Sequence, residues 1–99
     1  MPSDAGPPPE LRPWHLSDLA AIRADHSLLE DLLDTPLTAA EAEIWVTDRL
    51  GVLSHLVVTL DDERVGIVER GKVIVISLIE RLDTPRLRAA VWAAVTSQA

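Results

Sequence analysis

The sequence predicts an α+β fold in the order ααβββα: two N-terminal helices, a three-stranded antiparallel meander and a C-terminal helix. Three observations carry that reading. Residues 38–50 join a capping box to an apolar stripe of helical period. From residue 54 the pattern changes to β-branched runs separated by turn residues. At Thr84-Pro85 a helical start signal appears, and the helical period returns. The chain has 99 residues, 47% hydrophobic and 25% charged, which is the balance of one small globular domain.

The elements follow in order. Pro2, Pro7, Pro8, Pro9 and Pro13, with Gly6, disfavour both helix and ladder hydrogen bonds, so residues 1–13 are predicted to form a flexible arm and 14–99 the domain. Ser17 is placed to cap the first helix, with Asp18 in its first turn. Leu19, Ile22, Leu29 and Leu33 share a stripe that Asp25, His26 and Ser27 interrupt, so 17–33 is one helix with a polar patch or two short ones. Pro36 ends this unit. Thr38-Ala39-Ala40-Glu41 is the capping box of the next helix, which runs to about Leu50 with Ala42, Trp45, Val46 and Leu50 on one face. Gly51 stands where a left-handed residue closes a helix.

His55–Leu60, Arg64–Arg70 and Lys72–Ile79 then read as three strands, joined by turns at Asp61-Asp62-Glu63 and at Gly71. The third, KVIVISLI, is apolar on both faces and is expected to be the most buried. Leu87, Ala90, Val91, Ala94 and Val95 line the last helix. Trp45 and Trp92 are expected in the core, and Arg86 and Arg88 over the apolar surface of the last helix.

Charge is uneven. Of the net −7, all lies in residues 1–51, which hold ten acids and three Arg, while residues 52–99 balance at six and six. A nucleic-acid binder needs cations to displace counterions from phosphate, so direct nucleic-acid binding is disfavoured. One Lys against eight Arg, with no Asn, Phe or Tyr, reads as GC-rich coding. The absence of cysteine excludes disulfides, thiolate metal sites and a cysteine nucleophile. No apolar run reaches membrane length and the amino terminus is unlike a signal peptide, so a cytoplasmic, non-membrane protein is expected.

No catalytic constellation emerges. His15, His26 and His55 lack ligand spacing to one another. The Asp61-Asp62-Glu63 run lacks the alternation of a calcium loop. The serines have no nucleophile elbow, and the four glycines are too scattered for a phosphate loop. The sequence therefore names no catalytic, metal or cofactor residue and points away from an enzyme. The residues singled out are for partner contact: Asp25, Glu30, Asp31 and Asp34 as an acidic helical surface, and Trp14 as an apolar anchor. The expectation is a small acidic regulatory protein that binds a protein partner of basic character. The alternatives are self-association through an open strand edge or the last helix, and a ligand-binding remnant of an enzyme fold.

Two families resemble parts of the chain. Residues 48–99, through DRLGVLSHLVVTLDDERVGIVERGKVIVIS and RLRAAVWAAVTSQ, resemble the front of the ImmA/IrrE metallopeptidase-like family. There the resemblance implies a helix with H-E-x-x-H, and here Ala93-Ala94-Val95-Thr96-Ser97 takes its place. Residues 11–69, through LRPWHLSDLAAI, PLTAAEAEIW and LVVTLDDERVGIV, resemble the first half of the GNAT acetyltransferase fold. That resemblance implies an acetyl-CoA loop, Arg/Gln-x-x-Gly-x-Gly/Ala, before the last helix; here the region reads IERLDTPRLR, without glycine. Both resemblances imply helices followed by three strands and a helix, and both lack their family's reactive residues.

Overall fold

A computed structural model describes residues 8–97. The elements are β1 (Glu10–Pro13), α1 (Leu16–Ala24), α2 (Ser27–Leu33), α3 (Ala39–Thr47), β2 (His55–Leu60), β3 (Glu63–Arg70), β4 (Ile74–Leu78), a 3-10 turn (Glu80–Leu82) and α4 (Pro85–Ser97). The four strands form one antiparallel sheet in the order β1-β2-β3-β4. The fold is thus α+β with helices before and after the meander, but it departs from the three-stranded expectation.

The fourth strand comes from the expected arm. Glu10–Pro13 pairs with Leu56–Thr59, Pro13 lying opposite Leu56. Pro8 and Pro9 precede the strand and Pro13 ends it, so Glu10, Leu11 and Arg12 keep their N–H groups for pairing. An edge strand tolerates a terminal proline that a central one would not. The remainder of the expected arm, residues 1–7, lies outside the described residues.

The polar break at Asp25-His26-Ser27 does divide the first helical segment, giving α1 and α2. Ser17 does not cap α1. His15 occupies the N-cap position, and its N–H donates to the Asp18 carboxylate at 2.8 Å. The capping box of α3 forms as read: the Glu41 N–H donates to Thr38 Oγ1 at 3.1 Å, and the Thr38 N–H to Glu41 Oε1 at 2.9 Å. This helix ends at Thr47, before Gly51, which does take a positive φ of 70°. Thr84 Oγ1 accepts the Leu87 N–H at 3.1 Å and starts α4.

Leu56–Thr59 and Val65–Val68 are buried at every position, so both faces of β2 and β3 are covered. The expectation of deepest burial for KVIVISLI is corrected: that segment supplies an edge strand, with Val73 71% and Val75 49% exposed. Apolar composition on both faces does not distinguish a central strand from an edge; pairing on both sides does. Gly66 lets β3 and β4 approach, since a Cβ there would stand 2.5 Å from Leu78 Cδ2 and 2.6 Å from the Ser77 oxygen. On α4, Val91 and Val95 are buried, while Trp92 is 51% exposed, correcting its expected place in the core. One residue on from Val91, it is turned about 100° away from the buried face.

Candidate functional site: an acidic groove

α1 ends at Asp25, whose carboxylate accepts the Ser27 N–H at 3.0 Å and so begins α2 on a new axis. That hydrogen bond holds the Asp25 carboxyl below its ordinary range. α2 ends at Asp34 in the left-handed region (φ 52°, ψ 44°), and Thr35-Pro36 leads the chain away. Glu30 ties this exit back: its Oε2 accepts the Leu37 N–H at 3.0 Å, while His26 Nε2 lies 3.0 Å from the Leu37 carbonyl and 3.6 Å from Glu30 Oε1.

The result is an open groove of about 1130 Å³. One wall is Asp25, Glu30, Asp31 and Asp34; the other is Glu63 and Arg64 at the start of β3, and Ile79, Glu80 and Arg81 after β4. Leu28, Pro36 and Ile79 supply apolar surface. Six carboxylates therefore meet two guanidiniums, and the fold itself occupies both cations. Arg81 Nη2 reaches Glu63 Oε2 at 2.5 Å, and Arg64 Nε binds Asp18. The side chains of Asp31, Asp34 and Glu80 have no hydrogen bond or ion pair among the described residues.

Asp18, the partner of Arg64, is fully buried. Burial by itself pushes its carboxyl up. Hydrogen bonds from Arg12 (Nη1 2.6 Å, Nη2 2.8 Å), from the His15 N–H and from Arg64 outweigh that and hold it at about 2. Arg12 is raised in return by the same hydrogen bonds. The network joins β1, α1 and β3 through one carboxylate.

Of the residues singled out in the sequence, Asp25, Glu30, Asp31 and Asp34 are brought to one opening. Trp14 is not. It is 2% exposed and packs edge-to-face on Trp45, ring centroids 5.3 Å apart, which corrects its expected use as an exposed anchor. Arg49 closes that cluster from 3.8 Å above the Trp45 ring. Glu63 and Glu80 were not singled out, because one reads as a turn residue and the other as a linker. Only the pairing of β3 with β4 carries both to α2. Among the described residues no group of three or more His, Asp or Glu is placed to hold a metal ion, and no helix is long and apolar enough to cross a membrane.

Comparison with protein-family models gives no match, and comparison with curated proteins gives none. Among solved structures, an acetyltransferase (GNAT family) from Bacillus anthracis superposes with a TM-score of 0.66 at 13% sequence identity. The alignment covers 93% of this chain and 62% of that one, so the chain spans less than two thirds of its neighbour's length. The metallopeptidase-like resemblance finds no support. The GNAT resemblance extends from the residues that carried it to nearly the whole chain, as a likeness of fold.

Proposed function

We propose that this chain is a GNAT-like binding module whose acidic groove receives a cationic segment of a protein partner and does not itself transfer a group. The observation that carries this reading is the convergence of Asp25, Glu30, Asp31, Asp34 and Glu80 on one opening whose own arginines are already paired. Each exposed ion pair with a partner's Lys or Arg adds at most about 1 kcal/mol, but several in one groove act together and steer association.

The fold likeness brings acetyl-CoA into question, and the residues do not fit it. The segment ahead of α4 is a 3-10 turn carrying Glu80, followed by Asp83, with no glycine to let backbone N–H groups close around a diphosphate. Asp83 is paired to Arg88 through Nε at 2.6 Å and Nη2 at 3.0 Å. The neighbouring carboxylates repel a polyanion. A second reading, acetyl transfer, is favoured by the fold and by Arg86 in the first turn of α4; saturable binding of acetyl-CoA in a calorimeter would promote it.

The test is fluorescence polarisation with a labelled Arg-rich peptide. Binding is expected to weaken as salt rises. Replacing Asp31, Asp34 and Glu80 together by Asn, Asn and Gln should weaken it about tenfold. Replacing Glu10 and Asp48, which lie outside the groove, by Gln and Asn should leave it unchanged. Equal loss in both variants, or no loss in the first, overturns the reading.

A further inference from the structure

β1 and β4 form the two edges of the sheet, and the chain treats them differently. β1 carries Glu10 and Arg12, ends on Pro13, and leads into a bridge from Trp14 to Leu50. Charges, prolines and bulges are the ordinary guards of an edge against a foreign strand. β4 has none of them: Ile74–Leu78 reads IVISL and pairs with β3 without a register shift. Val73 and Val75 add exposed apolar side chains. Two hydrogen bonds fix which backbone groups of this strand face outward. The Gly71 N–H donates to the Val73 carbonyl at 3.1 Å, and the Ile79 N–H to the Val65 carbonyl at 2.9 Å. Hydrogen-bonded pairs alternate along an antiparallel ladder, so 73, 75, 77 and 79 face β3, while Ile74, Ile76 and Leu78 turn their N–H and C=O groups away from it.

We propose that the guard of this edge is Arg88, supplied by α4, and that its guanidinium keeps β4 from pairing with the β4 of a second copy. Arg88 Nη1 donates to the outward Ile76 carbonyl at 3.2 Å. Ile76 is the middle one of the three outward residues. An incoming strand that pairs with more than one of them must therefore take that carbonyl from Arg88. The guanidinium is held from its other side by Asp83, through Nε at 2.6 Å and Nη2 at 3.0 Å. This two-point hold lowers the Asp83 carboxyl and raises Arg88 from their ordinary values. It also fixes the guanidinium over the strand, where a free Arg side chain would sweep through solvent. Pairing would exchange a charge-assisted hydrogen bond for a neutral one and press a cation against apolar side chains. The side chain of Arg88 is 45% exposed, so its place on α4 does not depend on packing in the core. Arg86, two residues earlier, has no side-chain hydrogen bond or ion pair among the described residues.

Sedimentation equilibrium over a micromolar-to-millimolar range tests this, with circular dichroism to verify that each variant is folded. The wild type is expected to stay monomeric. Arg88→Gln keeps part of the stem but loses the charge and the reach to Asp83 and Ile76 together; Arg88→Ala removes the whole side chain. Each should self-associate about tenfold more tightly than the wild type, and if one fails to fold the other decides. Arg86→Gln makes the same change of charge away from the edge and should remain monomeric. Adding Val75→Lys to Arg88→Gln returns a charge to the edge strand and should restore the monomer. None of Val75, Arg86 and Arg88 lines the acidic groove, so the outcome is independent of what the groove binds. The proposal is overturned by a wild type that associates as tightly as Arg88→Gln, by Arg88 variants as monomeric as Arg86→Gln, or by a Val75→Lys variant that restores nothing.

Discussion

Asp18 is the residue on which most of the N-terminal half depends. Its carboxylate caps α1, neutralises Arg12 from β1 and holds Arg64 from β3. Removing one partner of a buried ion pair leaves the others uncompensated. Asp18→Asn is therefore expected to lower stability at neutral pH by about 3 kcal/mol, read from urea denaturation. The pH dependence has a definite sign. A carboxyl held at about 2 in the folded chain and near its ordinary value in the unfolded one stabilises the fold above that ordinary value. The contribution, about 2 kcal/mol, is lost as pH falls through the folded value. The gap between wild type and Asp18→Asn should accordingly narrow between about pH 4 and about pH 2. A gap of constant size would show that Asp18 acts through shape alone. In the sequence this residue reads only as a favourable first-turn anion, because the two arginines that define it lie six and 46 positions away.

At the scale of elements, the β2–β3 hairpin carries the clearest local conflict. Its turn, Asp61-Asp62, holds both residues at positive φ, 53° and 66°. Two-residue turns of this kind match the twist of the flanking strands, and glycine at the second position takes the conformation without a Cβ penalty. Asp62→Gly should raise stability by about 0.5–1 kcal/mol, seen as a higher thermal midpoint. The turn's position is legible in the sequence, and so are the Thr38–Glu41 box and the Thr84-Pro85 start, because each is made by neighbours in the chain. The role of a strand in the sheet is less legible. The sequence puts β1 in a flexible arm and reads the β4 segment as the most buried strand, and both readings fail for the same reason: composition reports what a segment would bury, while its place in the sheet is set by segments distant in sequence.

For the molecule as a whole, the acidic groove costs stability. Asp31 lies toward the C-terminal end of α2, where the helix dipole disfavours an anion, and the fold brings Glu80 to the same opening. These charges are far apart in the unfolded chain and share one groove in the folded one. The double variant Asp31→Asn, Glu80→Gln should raise stability by about 0.5 kcal/mol at low ionic strength, and the gain should fade as salt screens the groove. A gain that persists in high salt would assign the effect to local packing. A stability gain on losing these charges is the result expected of a groove whose charges serve the binding role proposed for it.

The sequence by itself determined which segments are helical, where α3 and α4 are capped, where the hairpin turns, and that the negative charge is concentrated in the first half. All of these rest on contacts spanning a few residues or on simple composition. The tertiary structure alone decided that Trp14 is interior, that Trp92 is not, that Glu10–Pro13 is a strand, and that Glu63 and Glu80 join the acids of α2. Those outcomes depend on which surfaces meet when sheet and helices close together, and no local spacing along the chain encodes that meeting.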